Sequence, residues 1–294
     1  MTGKIAVITG ATGGIGKEVC KYLAEKGYTI YAAYRSESKR DELLSIIPAS
    51  QRDNFNFVKL DLTSIASADS FCKKIKESLG EKKISLLLNN AGMIADKFYI
   101  TPDGYEKSMQ VNYISTKNIT ESLLGHINGK IINTISCTIH TANIKRAIKT
   151  AEGGLTPSVN STVQGLFKRL TKYSDSKLML AFYTLSLAER LNELNNSAST
   201  GSDKIEVYGA DPGIVDTGII TMHSWYDSIA NIVFRPFIRR PAEGAAQIIN
   251  AIEYKRVETS DPKESNIPRI FINNRCKAFS KGILRQYGRA RKIR

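Results

Sequence analysis

Two features of this sequence predict an α/β fold in which a parallel sheet is covered by helices on both faces. The first is an alternation of seven short apolar segments with helix-like segments along the chain. The second is a glycine-rich turn, residues 9–16, between the first apolar segment and the first helix-like one. Continuous apolar strands that alternate with helices are typical of sheets buried on both faces. We therefore expect a single α/β domain built on a seven-stranded, doubly wound parallel sheet.

The predicted strands are rich in Ile, Val, Leu, Tyr and Phe. They cover residues 4–9, 28–34, 55–60, 84–89, 130–135, 204–210 and 269–273. The helix-like patterns cover residues 15–27, 37–47, 64–80, 104–127, 173–195 and 241–254. Residues 137–172 show neither pattern and are predicted to form one long irregular loop, which in a compact domain is usually functional or mobile.

The positive charge of the chain is concentrated at its C-terminal end. The net charge is +14, and residues 275–294 contain eight Lys or Arg and no acidic residue. We therefore divide the chain into a domain, residues 1–274, and a basic C-terminal tail, residues 275–294. The tail is either solvated or bound to an anionic membrane surface or an acidic partner. Nucleic acid is not expected, because the tail offers few aromatic side chains for base stacking.

Cysteine and histidine usage predicts neither disulfides nor a metal site. The four cysteines are widely spaced without a Cys-x-x-Cys pair, and the three histidines have no metal-ligand spacing. Such cysteines are typical of reduced thiols in a cytoplasmic protein. We expect no signal peptide, and no apolar run approaches the roughly 18 residues of a membrane-spanning helix. We expect a cytoplasmic location, with peripheral membrane contact as the alternative.

The glycine-rich turn indicates a dinucleotide site. Gly10 allows a tight reversal of the chain, Gly14 leaves room for a pyrophosphate, and Gly16 lets the helix pack close to the strand. Unpaired N–H groups and the positive end of the helix dipole favour an anion at this position. A structural turn that binds nothing is the alternative.

Arg35, directly after the second predicted strand, bears on the choice of dinucleotide. In dinucleotide-binding folds this position meets the adenine ribose, where an acidic side chain suits NAD and an arginine suits the 2′-phosphate of NADP. Arg35 therefore favours NADP(H) over NAD(H), and a surface arginine without this role is the alternative. Glu37 need not oppose the phosphate, because it can lie in the first turn of the next helix with Ser36 as its cap.

Three further segments follow predicted strands and are candidates for cofactor contacts. The acidic residue after the third strand lies where an adenine would bind, although it could equally cap a helix. Small residues after the fourth strand admit a ligand, while the amides there tie neighbouring strands together. A Pro-Gly pair after the sixth strand turns the chain sharply at the same rim. The candidates are Asp61, Leu62, Asn89, Ala91, Gly92, Pro212, Gly213 and Thr217.

Tyr173 and Lys177 carry the strongest chemical signal. A spacing of four on a helix places both side chains on one face. A free tyrosine titrates near pH 10, and a neighbouring ammonium lowers that pKa, so the pair predicts an acid/base that works near neutral pH. Ser136 ends the fifth predicted strand at the same rim, where its hydroxyl can bind a carbonyl oxygen. Asn112 lies inside a helix pattern and is often, in such a place, only a core amide.

Residues 218–240 are rich in aromatic and aliphatic side chains and carry few charges. We interpret this segment as a lid over an apolar substrate. A helix that lies in a membrane interface is the alternative.

The order of these motifs resembles the short-chain dehydrogenase/reductase superfamily over about residues 3–255. Thr9-Gly10-x-x-x-Gly14-Ile15-Gly16 is similar to the family's cofactor loop, and Tyr173-Ser174-Asp175-Ser176-Lys177-Leu178 is most like the retinol dehydrogenase, protochlorophyllide reductase and WW-domain oxidoreductase branch. The resemblance implies a Rossmann-type fold. It also implies cofactor contacts from Gly10, Thr12, Gly14, Ile15, Gly16, Arg35, Asp61, Leu62, Asn89, Ala91, Gly92, Tyr173, Lys177, Pro212, Gly213 and Thr217.

The resemblance further implies a catalytic set of Asn112, Ser136, Tyr173 and Lys177. Tyr173 would exchange a proton with the substrate oxygen, and Ser136 would hydrogen-bond that oxygen. Lys177 would bind the nicotinamide ribose and lower the pKa of Tyr173, and Asn112 would hold a water that links Lys177 to solvent. The hydride chemistry would belong to the cofactor.

We therefore expect an NADP-preferring, retinol dehydrogenase-like oxidoreductase of an apolar carbonyl or alcohol, in which residues 1–274 form the catalytic domain. The alternatives are an NAD-dependent dehydrogenase, a cofactor-binding scaffold without turnover and a nucleotide-sugar epimerase. A scaffold has no need of the serine, tyrosine and lysine together, and epimerases usually have a differently spaced glycine loop. A homodimer is expected from the family resemblance.

Overall fold

The protein forms one seven-stranded parallel sheet in the order β3-β2-β1-β4-β5-β6-β7, which confirms the predicted α/β fold. The structure is a computed structural model and describes residues 3–95, 97–155, 165–197, 204–213, 215, 240–254, 270–272 and 276–291. The strands are β1 (Ile5–Thr9), β2 (Thr29–Tyr34), β3 (Phe55–Lys59), β4 (Ile84–Asn89), β5 (Ile127–Thr134), β6 (Glu206–Asp211) and β7 (Ile270–Ile272). All seven predicted strands are present.

All helices but the last lie between successive strands, and together they cover both faces of the sheet. They are α1 (Gly14–Glu25), α2 (Glu37–Ile46), α3 (Ile65–Leu79), the composite helix α4, α5 (Ile144–Glu152), α6 (Leu166–Ser197), α7 (Pro241–Glu253) and α8 (Cys276–Arg291). Helix α4 consists of Lys107–Met109 and Ser115–Leu123 on either side of a π-helical segment, Gln110–Ile114. A π-helical turn inside an α-helix is rare and is frequent at functional sites.

Side chains alternate between two apolar layers along each strand, as the pleat of a sheet requires. In β1, Ile5 and Val7 pack with residues of α3, α4 and α6. Ala6 and Ile8 point to the other face and pack with residues of α1, α2 and α7. Burial on both faces explains why every strand was visible in the sequence as a continuous apolar run.

The prediction of an irregular loop over residues 137–172 is wrong in part. A short 3₁₀ helix covers Cys137–Thr141, α5 covers Ile144–Glu152, and α6 begins at Leu166 rather than near Tyr173. The α5 helix has one fully buried residue, Ala147, and its apolar residues Ile144, Ala147, Ile148 and Ala151 recur at helical spacing, a signal that the prediction overlooked. Residues 156–164 of the predicted loop lie outside the described residues.

The basic C-terminal segment contains a helix, α8, that the sequence did not predict. Its Ala290 is buried in the apolar layer with α6, and the Tyr287 ring lies 5.6 Å from the Phe182 ring. The Tyr287 hydroxyl donates a hydrogen bond to Glu189 at 3.1 Å, and Arg291 pairs with the same carboxylate at 3.7 Å. Most of the segment predicted as a tail therefore forms a helix, and its Tyr287 and Ala290 pack against α6.

Among the described residues, no helix is long and apolar enough to cross a membrane and no cluster of ligand side chains could hold a metal ion. The three cysteines with described side chains, Cys20, Cys72 and Cys137, are free thiols. The predicted lid, residues 218–240, lies outside the described residues except for Arg240.

The packing of α1 gives a test of the layer that supports the glycine turn. Leu23 is fully buried, whereas Ile46 on α2 is 40 % exposed. We expect Leu23→Ala to lower the free energy of unfolding by about 2–5 kcal/mol, because it leaves a cavity in the core. Ile46→Ala, the matched control, should cost less than about 1 kcal/mol. Urea unfolding of both variants measures this, and equal losses would contradict the assigned packing.

Candidate active site

The glycine turn leaves the amino end of α1 open. Gly10 adopts a φ of +66°, and a Cβ there would lie 2.7 Å from Cα of Ala91. A Cβ at Gly16 would overlap the Gly10 carbonyl oxygen, so strand, turn and helix pack as closely as predicted. The N-cap residue is Gly13, which has no side chain to bond the first N–H groups of the helix. This open helix end fits a phosphate.

Residues after β4 brace the glycine turn. The Asn90 side-chain amide donates to the Gly10 carbonyl at 3.2 Å, and the Ala91 N–H donates to the Thr9 hydroxyl at 3.2 Å. Gly13 and Asn90 were not singled out from the sequence as site residues. Gly13 lies within the turn and Asn90 within the Asn-Asn-Ala-Gly segment, so their places in those motifs were the available signal.

Arg35 follows β2, as predicted, and its side chain is exposed. It joins none of the ion pairs found in the described part of the chain. Glu37 opens α2 and pairs instead with Arg40 and Lys59. The predicted position of Glu37 is confirmed, but the Ser36 side chain forms no capping hydrogen bond.

Asp61 is not the cap of the following helix. That cap is Ser64, whose hydroxyl accepts a hydrogen bond from the Ser67 N–H at 3.2 Å. The Asp61 carboxylate instead accepts from the N–H and the hydroxyl of Thr63, at 2.9 and 2.8 Å. Leu62 is buried, and its carbonyl accepts from the Ser115 hydroxyl at 2.7 Å, which ties this loop to α4.

Asn89 connects neighbouring strands, as the sequence indicated. Its buried amide donates to the Asn133 side chain at 2.8 Å and to the Thr120 hydroxyl at 2.9 Å. Asn133 in turn donates to Thr184 on α6 at 2.9 Å. This buried polar chain fixes the carboxyl ends of β4 and β5 relative to the helix that carries Tyr173 and Lys177.

Lys177 is fully enclosed at the centre of the site. Its Nζ donates to the Thr134 carbonyl at the end of β5 at 2.6 Å and lies 5.8 Å from the centre of the Tyr173 ring. A Cβ at Gly92 would lie 3.1 Å from Nζ, so a small residue at this position gives the ammonium its space. Burial lowers the pKa of Lys177 to about 8, and the Asp211 carboxylate opposes that shift.

Asn112 lies in the π-helical segment of α4, beside Lys177 and Gly92. Its side chain accepts from the Met93 N–H at 2.8 Å and donates to the Met93 carbonyl and the Ser176 hydroxyl, both at 2.9 Å. The hydrogen bonds of the Asn112 side chain therefore connect α4 to the loop after β4 and to α6. A water held by Asn112 would have to use its backbone, because the side chain is occupied.

Ser136 and Tyr173 face each other, as predicted. Ser136 is the N-cap of the 3₁₀ helix, and its hydroxyl accepts from the N–H and the hydroxyl of Thr138, at 3.3 and 3.1 Å. A side-chain hydrogen bond joins Ser136 to Tyr173. The two hydroxyls therefore lie where one carbonyl oxygen can contact both.

The predicted lowering of the Tyr173 pKa is wrong for this arrangement. Burial raises the pKa of the Tyr173 phenol, with smaller contributions from Asp211 and Cys137, and only the hydrogen bond with Ser136 acts in the other direction. The Lys177 ammonium is directed to the Thr134 carbonyl instead of the phenol oxygen. The phenol is thus held in its protonated form, as a proton donor requires.

The segment after β6 turns at the same rim. Asp211 and Pro212 are buried, and Gly213 adopts a φ of +79° while its N–H donates to the Asp211 carboxylate at 2.8 Å. The sequence assigned no role to Asp211, and its proximity to Lys177, Tyr173 and Cys137 was not predicted. Thr217 lies outside the described residues.

An ion pair between the buried Asp175 and the half-exposed Arg146 anchors the segment after Ser136 to the helix that carries Tyr173. Asp175 lies two residues from Tyr173, and its carboxylate binds the Arg146 guanidinium through two hydrogen bonds. The same carboxylate accepts from the Asn143 N–H at 3.0 Å, at the start of α5. The pair fixes α5 against α6 and so limits how the residues between Ser136 and Tyr173 can move.

The sequence comparisons decide the family. A family model described as short chain dehydrogenase matches residues 4–151. The chain belongs to the short-chain dehydrogenase family. Retinol dehydrogenase 12 of Bos taurus is 30% identical over 250 residues, which cover 83% of this chain and 71% of the relative. Polyprenol dehydrogenase of Mus musculus is 27% identical over 270 residues, covering 87% and 73%. These similarities place this short-chain dehydrogenase in the retinol dehydrogenase branch.

Solved structures share the fold. A short chain dehydrogenase from Burkholderia cenocepacia in complex with NADP has a TM-score of 0.60 at 20% identity and covers 85% of this chain and 90% of its own. Salutaridine reductase from Papaver somniferum has a TM-score of 0.58 at 21% identity and covers 86% and 96%. At these identities the likeness concerns the fold alone. The family binds a nicotinamide cofactor, so the chain is an NAD(P)-dependent oxidoreductase.

The Asp175–Arg146 pair gives a stability prediction. Asp175 has a side chain that is 3% exposed, so Arg146→Ala leaves a buried carboxylate without its partner and should cost about 1–3 kcal/mol of unfolding free energy. The matched control is Arg190→Ala, because the Arg190–Glu121 pair is partly exposed on both sides and should contribute less than about 1 kcal/mol. Chemical denaturation of both variants compares the losses. A smaller loss for Arg146→Ala than for Arg190→Ala would contradict this role.

Proposed function

We propose that this chain is an NADP-preferring oxidoreductase that transfers hydride between nicotinamide and an apolar carbonyl or alcohol. The observation that carries the proposal is that the candidate residues adjoin one another along the carboxyl ends of the strands. The open glycine turn contacts Ala91, Gly92 adjoins Lys177, and the Ser136 and Tyr173 hydroxyls face each other on the same side of the sheet. A scaffold that only binds a cofactor would not need the hydroxyl pair beside the buried lysine.

The cofactor would be held by backbone groups at the glycine turn and by the segments after β3, β4 and β6. These are Gly10, Thr12, Gly14, Ile15, Gly16, Asp61, Leu62, Asn89, Ala91, Gly92, Pro212, Gly213 and Thr217, with Tyr173 and Lys177 at the nicotinamide end. The uncapped end of α1 fits the pyrophosphate, because its N–H groups have no side-chain partner at Gly13. When bound, the nicotinamide supplies or accepts the hydride.

The protein's own residues supply proton transfer and charge. Tyr173 holds a proton at its phenol oxygen because burial raises its pKa, and it gives that proton to the oxygen of a carbonyl substrate. Ser136 donates a hydrogen bond to the same oxygen, most strongly as negative charge develops there. Lys177, whose ammonium lies 5.8 Å from the centre of the Tyr173 ring, would bind the nicotinamide ribose. Asn112 fixes the position of the loop beside Lys177.

Arg35 is the proposed reader of the 2′-phosphate. Its guanidinium is exposed after β2, and the neighbouring acid, Glu37, is engaged by Arg40 and Lys59. The engagement of Glu37 leaves Arg35 able to approach a phosphate, which supports NADP over NAD.

Replacement of Arg35 tests the cofactor preference. Arg35→Ala should weaken NADPH binding by about ten- to a hundredfold, the equivalent of one charge-assisted hydrogen bond, and leave NADH binding unchanged. Isothermal titration calorimetry with both dinucleotides measures the two dissociation constants. Lys39→Ala, an exposed charge removal on α2, is the control. Equal weakening of NADPH and NADH would remove Arg35 from this role.

The substrate class is proposed from the relatives. The names retinol dehydrogenase and polyprenol dehydrogenase indicate apolar alcohols, and this chain is 30% and 27% identical to two such proteins. We propose an apolar substrate for this chain as well, with the predicted lid at 218–240 as its cover. A cytoplasmic location, peripheral membrane contact and a homodimer stay predictions.

Tyr173→Phe tests the acid/base assignment. Loss of the phenol hydroxyl removes the proton donor, so turnover should fall by about a hundred- to ten-thousandfold while dinucleotide affinity is retained. Tyr183→Phe is a matched control on the same helix, because its hydroxyl bonds Glu121 instead of a residue of the rim. Rates with NADPH and a carbonyl substrate, together with calorimetry, separate the two effects. A Tyr173→Phe enzyme with the wild-type rate would show that another group moves the proton.

The titration of Lys177 predicts a pH dependence. Because burial lowers its pKa to about 8, Lys177 is an ammonium below that pH and loses its charge above it. The value of kcat/KM for the dinucleotide, which reflects ionisations of the free enzyme, should therefore be constant on the acid side and fall about tenfold per pH unit above about pH 8. Initial rates from pH 6 to 10 in about half-unit steps test this. A flat profile up to pH 10 would contradict the role of the ammonium.

A further inference from the structure

Asp211 places a buried carboxylate at the catalytic rim. It ends β6 and has no exposed surface. One carboxylate oxygen accepts from the Gly213 N–H at 2.8 Å, whereas the other, Oδ2, is buried and has no hydrogen-bond partner within the part of the chain that the structure describes. Burial raises the pKa of the Asp211 carboxyl, and the hydrogen bonds from Gly213 and Cys137 and the Lys177 charge oppose that shift. A positive charge beside this carboxyl would favour its ionised form.

Cys137 donates hydrogen bonds to the Asp211 carboxylate from its backbone N–H and its thiol, but neither group carries a positive charge. Besides Asp211 Oδ2, a second buried oxygen at this place has no hydrogen-bond partner among the described residues. It is Oγ1 of Thr134, which lies beside Ala210 in the β5–β6 pairing. Lys177 acts on the carboxylate through its charge, but its Nζ hydrogen bond goes to the Thr134 carbonyl. No ion pair between Lys177 and Asp211 occurs in the described ranges. The other two ionisable neighbours are Cys137 and Tyr173, which are neutral at neutral pH because burial raises both pKa values.

We propose that Asp211 is the counter-charge for the oxidised nicotinamide ring, and that it makes this site favour the oxidised dinucleotide over the reduced one. The inference rests on the proposed function, since it takes the nicotinamide to lie at this rim. The ring carries a positive charge when oxidised and none when reduced, while the phosphates and riboses are the same in both forms. A fixed carboxylate in a buried pocket therefore distinguishes the two forms by charge alone.

Asp211→Asn is the decisive variant. It keeps the size of the side chain and an oxygen that can accept from the Gly213 N–H, and it removes the charge. The dissociation constants of NADP+ and NADPH are measured by calorimetry for the wild type and the variant. The ratio of NADP+ affinity to NADPH affinity should fall by about tenfold in Asp211→Asn. Glu77→Gln is the control, since it removes one negative charge from an exposed side chain on α3 and should leave the ratio unchanged.

A purely structural role of Asp211 predicts a different result. If the residue only holds the Pro212–Gly213 turn, Asp211→Asn weakens both forms equally or neither, and either outcome overturns the inference. Should Asp211→Asn fail to fold by circular dichroism, Asp211→Ser replaces it with the same expected fall in the ratio. A folded wild-type protein that binds neither dinucleotide would instead refute the proposed function. Binding of both forms with an unchanged ratio in the variant refutes the role of Asp211 alone.

Discussion

A buried ammonium group at Lys177 is the constraint on which the rest of the site depends. A lysine with 2% exposure is tolerated only when its charge is hydrogen-bonded, and here the Thr134 carbonyl accepts that bond. The requirement fixes the end of β5 against α6. It also favours glycine at position 92, because a Cβ there would lie 3.1 Å from Nζ.

The elements around Lys177 are tied together by polar contacts that serve this arrangement. Asn112 connects α4 to the loop after β4 and to Ser176, one residue before the lysine. The chain of amides from Asn89 through Asn133 to Thr184 joins two strands to the same helix. Buried polar networks of this kind hold side chains in one geometry, which hydride and proton transfer require.

The sequence alone predicted most of the fold because strands that are buried on both faces of a sheet consist of continuous apolar residues. All seven strands were visible as apolar runs, and the glycine turn was placed by its position between β1 and α1. The α5 helix was missed although its apolar residues recur at helical spacing, and its link to α6 joins Arg146 and Asp175, which are 29 positions apart. The α8 helix was missed because its basic residues obscure the few apolar contacts, such as those of Tyr287 and Ala290.

The site residues were predictable as members of motifs, but their electrostatics were not. Spacing placed Tyr173 and Lys177 on one helix face, and the simple expectation was that the ammonium would lower the tyrosine pKa. The opposite direction results from burial of the phenol and from Asp211, which is 38 positions away in the chain and reaches the rim only through the sheet. A pKa shift that depends on burial and on residues of neighbouring strands cannot be predicted from the spacing of two residues in the sequence.

Transfer of an isotopically labelled hydride tests the central claim most directly. NADPH that carries deuterium at C4 of the nicotinamide is incubated with the wild-type protein and an apolar aldehyde such as retinaldehyde, and the alcohol is analysed by mass spectrometry. Samples labelled on each face of C4 cover both possible stereochemistries. The account predicts that one of the two samples yields alcohol with one deuterium on the former carbonyl carbon. Folded protein that binds NADPH but transfers no deuterium to any member of a panel of apolar carbonyls would contradict it and indicate a cofactor-binding scaffold.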